Sequence, residues 1–206
     1  ETISIIALKD SAGTFNLNRY KPTSSILEYG TLSVNHNWTT ISMTNNYIDP
    51  VIIISDPTYN GNQSCSTRLR NVTSNSFQLR IQECNYLDGS HFKETVTYIV
   101  IESGDWLLSN FKISAGKISH NKLVPPTSDS NFTNINFNYN YYNVPVVLTQ
   151  IQSFNDKDWL ITRTKDINSS GFKVSLQKEE RENTNMSSSE TIGWLSIETI
   201  DNSLIK

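Results

Sequence analysis

The sequence predicts an all-β protein of two tandem antiparallel β-sandwich domains with an extra N-terminal, donor-type strand, and three observations carry that prediction. Thr67-Arg68, Asn71, Val72 and Phe77-Gln78-Leu79-Arg80-Ile81-Gln82 return 95 residues later as Thr162-Arg163, Asp166, Ile167 and Phe172-Lys173-Val174-Ser175-Leu176-Gln177. A fixed offset that keeps strand and turn residues together marks two copies of one structural unit. Short runs rich in Val, Ile, Thr, Tyr and Phe alternate with turns bearing Asn, Ser and Gly, and no stretch keeps a helical period. Within the runs the apolar residues take every second position, as Phe77, Leu79 and Ile81 do against Gln78, Arg80 and Gln82. That is the period of a strand with one buried face.

Residues 1–22 read as an N-terminal strand and linker. Ile3, Ile5 and Ala7 lie on one face of the strand and Ile6 and Leu8 on the other, and Ser11-Ala12-Gly13 breaks it. A strand apolar on both faces needs cover on both and a partner for its backbone. It either folds back on its own molecule or adds to a neighbouring one by strand donation. Residues 23–110 form the first sandwich, with strands at Thr31 to Val34, Thr39 to Thr44, Pro50 to Ser55, Ser66 to Arg70, Ser76 to Glu83 and Thr95 to Glu102. Residues 111–206 form the second, with strands at Gly116 to Ser119, Thr133 to Phe137, Val144 to Ile151, Trp159 to Lys165, Phe172 to Gln177 and Thr191 to Glu198. Tyr47-x-x-Pro50 recurs as Tyr142-x-x-Pro145, with proline at a strand's first residue, where its missing N–H costs least. Trp38 matches Phe132 and Tyr98 matches Trp194, and such duplicated aromatics are expected in the core.

Charged residues make up 18% of the chain, its net charge is −3, and no Lys/Arg cluster occurs. This argues against nucleic acid and against a polybasic membrane contact. No apolar run is long enough for a membrane-spanning helix. The chain begins at Glu1 with neither a charged leader nor an apolar signal region, which reads as a mature, exported protein. Cys65 and Cys84 lie equidistant from a hairpin turn near residues 74 and 75. Residues directly opposite in an antiparallel pair are about 4.5–5.5 Å apart, within disulfide reach, so a Cys65–Cys84 bond is expected, with two buried thiols as the alternative. The second copy has no cysteine, so such a bond would reinforce the fold and not define it. Asn37, Asn62, Asn71, Asn131, Asn168 and Asn185 head Asn-x-Ser/Thr sequons, which in an exported chain are N-glycosylation sites.

The catalytic inventory is thin. His36, His91 and His120 form no zinc-binding pattern, and no phosphate-cradling glycine loop or nucleophile elbow occurs. Asp88-Gly89-Ser90-His91-Phe92-Lys93-Glu94 holds three ligand-type residues, but the second copy keeps only Glu190 there. The Asp-Gly step reads first as a loop. Glu94 with Glu190 and Glu102 with Glu198 recur at equivalent sites, so they are expected in separate structural roles and not as a catalytic pair. We expect no catalytic residue, no metal and no cofactor.

At Gly30, Trp38-Thr39-Thr40-Ile41, Tyr47-x-x-Pro50-Val51, the Phe77 strand and Glu94-Thr95-Val96-x-Tyr98, the pattern resembles the H-type lectin-like domain, and a diverged copy repeats it from Gly116 to Glu198. The resemblance implies a six-stranded antiparallel sandwich of secreted or cell-surface proteins, some of which bind N-acetylgalactosamine-type sugars. No sugar-contacting motif matches residue by residue. In organisation the chain is also similar to the glycosylated thread subunits of archaeal surfaces, which join head to tail through donated strands. The function expected is therefore that of an extracellular, N-glycosylated filament or adhesion subunit that polymerises with copies of itself through Ile3, Ile5, Ile6 and Leu8. The alternative is a secreted tandem lectin for surface glycans, with Tyr59, Tyr86 or Trp159 stacking on sugar.

Overall fold

The computed structural model describes residues 12–17, 25–108, 111–124, 129–179 and 186–199. The Ile3, Ile5, Ile6 and Leu8 strand and the Asn185 sequon lie outside the described residues. The described chain is all-β, with fourteen antiparallel strands and one short 3-10 turn at Asp129–Asn131. In order the strands are β1 (Gly13–Leu17), β2 (Ser25–Val34), β3 (Thr39–Ser42), β4 (Pro50–Ile54), β5 (Cys65–Arg70), β6 (Ser76–Glu83), β7 (Glu94–Glu102), β8 (Gly104–Leu108), β9 (Phe111–His120), β10 (Thr133–Asn136), β11 (Val146–Ile151), β12 (Leu160–Asn168), β13 (Gly171–Lys178) and β14 (Glu190–Thr199).

They form four sheets, ordered β1-β2-β7-β4 and β3-β6-β5 in the first copy and β8-β9-β14-β11 and β10-β13-β12 in the second. The predicted strands appear in both copies, and two more were missed. β8 pairs with β9 as β1 pairs with β2, so residues 104–108 open the second copy and do not close the first. Residues 13–17 are likewise a strand of the repeat and not linker. Both are five-residue edge strands that begin at glycine, too short to stand out by periodicity.

Alternation within the strands builds three apolar layers. Val34, Ile52, Ile54, Val96 and Val100 face Leu69, Phe77, Leu79 and Ile81 inside the first sandwich. Val147, Ile151 and Ile192 face Leu160, Phe172, Val174 and Leu176 inside the second. Between the copies, the opposite faces of the two four-stranded sheets meet: Leu27, Tyr29, Val51, Ile53, Ile99 and Ile101 pack against Trp106, Ile113, Ala115 and Leu195. The molecule is therefore a four-layer stack, and β4, Pro-Val-Ile-Ile-Ile, is buried at every residue. An unbroken apolar run is the mark of a strand covered on both faces.

Close packing at the strand crossings uses glycine. Gly30 pairs with Tyr98 and Gly116 with Trp194, and a Cβ at either glycine would sit 2.7 Å from the aromatic ring. The rings lie across the neighbouring strand, half-buried, and pack on the first and second sandwich cores respectively.

The repeat also has an insertion. Tyr47 donates its backbone N–H to Ser74 O at 2.7 Å, and the residue doing the same in the second copy is Tyr141, to Ser169 O at 2.8 Å. Tyr47 and Tyr141 are buried while Tyr142 is exposed, so Tyr142 is not the counterpart of Tyr47. One extra residue stands between Tyr141 and Pro145, and the adjacent identical tyrosines hide it in the sequence.

Candidate functional site

Three polar constellations stand out, and comparison of the copies separates scaffold from addition. The first is duplicated. Glu94, fully buried at the start of β7, accepts hydrogen bonds from Thr58 Oγ1 (2.6 Å), Asn60 N (3.0 Å) and Gly61 N (2.8 Å), while Asn60 Nδ2 donates to Lys93 O. Glu190 in β14 repeats this with Ser153 Oγ, Asn155 N (3.0 Å) and Asp156 N (2.8 Å), and Asn155 Nδ2 donates to Ser189 O. Each carboxylate folds one inter-strand loop over the end of its sandwich. Glu102 likewise accepts from Ile48 N and Asp49 N, and Glu198 from Tyr142 N and Asn143 N. The four duplicated glutamates thus sit apart, each tying down a turn.

A different nitrogen-bearing side chain lies on each loop carboxylate. His91 is buried between Glu83 Oε1 (2.8 Å from Nδ1) and Glu94 Oε1 (3.0 Å from Nε2), and His36 Nδ1 accepts from its backbone N–H. Burial alone would raise the Glu94 carboxyl, but the hydrogen bonds from Thr58, Gly61, Asn60 and His91 outweigh it and hold it at about 2. On Glu190 that side chain is Arg68, which reaches across from the first copy with Nη2 at 3.3 Å. Arg68 also donates to Asp158 O, Asp156 O and Gln82 Oε1. Burial pulls its guanidinium down to about 10 against the charge of Glu190. No group of three or more His, Cys, Asp and Glu among the described residues is arranged to hold a metal ion. His91 and Glu94 of the Asp88–Glu94 segment thus meet in a hydrogen-bonded clamp.

The expected disulfide is corrected. The hairpin forms, but its register sets Cys65 opposite Glu83, not Cys84, and both thiols are free. A shift of one residue turns a side chain to the other face. Cys65 faces the first core, 3.4 Å from His91 Nε2, whereas Cys84, itself buried, lies outside that core. Burial first, then Glu94 and Glu83, pushes the Cys65 thiol up to about 11, and burial with Glu179 does the same for Cys84. Both therefore stay in the unreactive thiol form.

Of the sequons, Asn37, Asn62, Asn71 and Asn168 are exposed, whereas Asn131 is half-buried and donates its amide to Leu123 O at 2.7 Å. Tyr59 is 77% and Tyr86 53% exposed. They do not share one platform: Tyr59 belongs to the β4–β5 loop, and Asn85 ties the Tyr86 loop to the second copy by accepting from Trp159 N.

The third constellation was not foreseen. Trp38 and Phe132, expected in the core, lie half-buried beside β3 and β10. Phe132 carries Lys165 Nζ at 4.6 Å. Trp38 carries Arg70 at 4.1 Å and Arg80 at 4.8 Å, and Phe154 from the second copy carries Arg80 at 4.8 Å and Arg68 at 4.7 Å. The visible signal was Arg68, Arg70 and Arg80 on the polar side of two paired strands.

No family model and no solved structure matches the chain. Halomucin of Haloquadratum walsbyi (strain DSM 16790 / HBSQ001) is 32% identical to it over 193 residues, a match that takes in 86% of this chain. The chain spans about 2% of the length of that relative. No helix among the described residues is long and apolar enough to cross a membrane, and the likeness to a segment of halomucin points to an extracellular or cell-surface protein.

Proposed function

We propose that the chain is an N-glycosylated structural module of an extracellular assembly, in which residues 1–10 add as a strand to the next copy. The observation that carries this reading is the apolar layer shared by Leu27, Tyr29, Ile99 and Ile101 with Trp106, Ile113 and Leu195. Two sandwiches joined over whole sheet faces transmit force without a hinge, as a fibre subunit requires. The duplicated carboxylates serve loop geometry in both copies. Exposed sequons at Asn37, Asn62, Asn71 and Asn168 fit a sugar-coated outer surface. Strand addition supplies main-chain hydrogen bonds for strength, and Ile3, Ile5, Ile6 and Leu8 set its register. Deletion of residues 1–10 is expected to leave folded monomers where the whole chain gives filaments, as read by negative-stain microscopy and light scattering. Filaments from the truncated chain would sink the proposal.

A further inference from the structure

The outer face of β3-β6-β5 holds a cationic ladder that the second copy lacks. Its members run Arg70, Trp38, Arg80, Phe154, Arg68, with Trp38 and Phe154 edge to face at 5.1 Å. The equivalents of Arg80 and Trp38 in the second copy are Ser175 and Phe132, and Ser175 is buried against Asn131 O and Lys122 O. The ladder is thus an addition to the scaffold, and it is assembled across both copies because Phe154 comes from the second.

The three guanidiniums differ in what neutralises them. Arg68 has Glu190 and two carbonyls. Arg70 has the neutral amide of Gln78, from Nε to Oε1 at 2.7 Å. Arg80 has no hydrogen bond or ion pair among the described residues, and its Nε is buried without an acceptor. Burial first, then the charge of Arg70, lowers the Arg80 pKa. A charged donor withdrawn from water without a partner is costly, yet here Arg80 shares one indole with a second guanidinium, that of Arg70. Placed over the rings, both side chains keep their Nη groups as donors for an oxyanion.

We propose that Arg70 and Arg80, held by Trp38 and Phe154, form a binding site for the carboxylate or sulfate group of an acidic glycan. Beside Arg70 on this face stand Gln78, Thr40 and Asn71, whose amides and hydroxyl already hydrogen-bond one another and suit sugar hydroxyls. The exposed large apolar side chains of the described residues lie elsewhere, so the face has little to hold a peptide side chain. The acidic sugar has two sources: a glycan from outside, or one carried by the chain itself, since the sequons Asn37 and Asn71 directly adjoin Trp38 and Arg70. The site stands independently of how copies join.

Calorimetric titration of the full chain, produced with and without N-glycans, tests this with a sulfated heparin tetrasaccharide, a galacturonic acid oligosaccharide, a neutral dextran oligosaccharide and oligoglutamate. The expected result is saturable, salt-sensitive binding of an acidic saccharide over dextran and oligoglutamate. Binding by both preparations identifies an external ligand, and binding by the unglycosylated chain alone identifies the chain's own sugar as the occupant. R70Q and R80Q should each weaken binding about tenfold, as loss of a charge-assisted hydrogen bond does, while R163Q in the second copy leaves it unchanged. R70Q keeps the test open if R80Q fails to fold. No saturable binding by either preparation, affinity in R70Q and R80Q equal to that of the parent chain, or tighter binding of oligoglutamate would overturn the proposal.

Discussion

Glu94 and Glu190 determine how the ends of the two sandwiches close, although neither touches the exterior. Glu94→Gln leaves the Asn60 and Gly61 N–H groups and His91 facing a neutral amide, and is expected to cost about 2–4 kcal/mol in urea unfolding. The same carboxylate makes stability pH-dependent. Its folded pKa, about 2, lies below the ordinary 4.5, so its contribution is complete above about pH 4.5 and is lost as pH falls towards 2. Stability measured from pH 6 to 2 should therefore decline less steeply in Glu94→Gln than in the parent, and an unchanged slope would refute the assignment. The structural role of this residue was legible because the repeat showed it twice. The cysteines were not legible, since equidistance from a turn predicts opposition only when the register is known, and here the register differs by one residue.

At the scale of elements, most strands could be read from alternation, whereas what covers their edges could not. β4 is an edge strand of its sheet, and an uncovered edge invites pairing with other chains. The cover is the side chain of Gln152, which accepts from Ile52 N at 3.0 Å and donates to Pro50 O at 3.3 Å, as a strand's own amide would. Its carboxamide occupies the space left by Gly193, where any Cβ would collide with it. No local pattern links residues 52, 152 and 193, because the contact depends on how the copies dock. Gln152→Ala should cost about 1–2 kcal/mol by leaving two backbone groups unpaired. Gly193→Ala, which pushes the amide away, should act through the same bonds. The double variant is then expected to be little worse than either single one, a non-additivity that a double-mutant cycle reads directly. Additive losses would show that the two residues act separately.

At the scale of the molecule, the duplication suggested two domains that each bury their own core, and the central layer changes that expectation. The sequence does carry its signal, in Val51-Ile52-Ile53-Ile54 and Ile99-Val100-Ile101, where both faces of a strand are apolar. The odd-numbered residues of these runs face the layer between the copies and the even-numbered ones the first sandwich core. Separating the copies would expose that layer together with Arg68 and Glu190, a buried ion pair that spans them. Neither copy can then unfold without removing a wall of the other's core, and the whole chain is expected to melt in one calorimetric transition. Leu195 is buried in the central layer and contributed by the second copy. Leu195→Ala should cost about 2–5 kcal/mol, which for a chain of this size lowers the single Tm by about 2–4 °C per kcal/mol. Two resolved transitions, with only the second copy's displaced by Leu195→Ala, would instead make the copies independent domains and remove the basis for treating the pair as one load-bearing block.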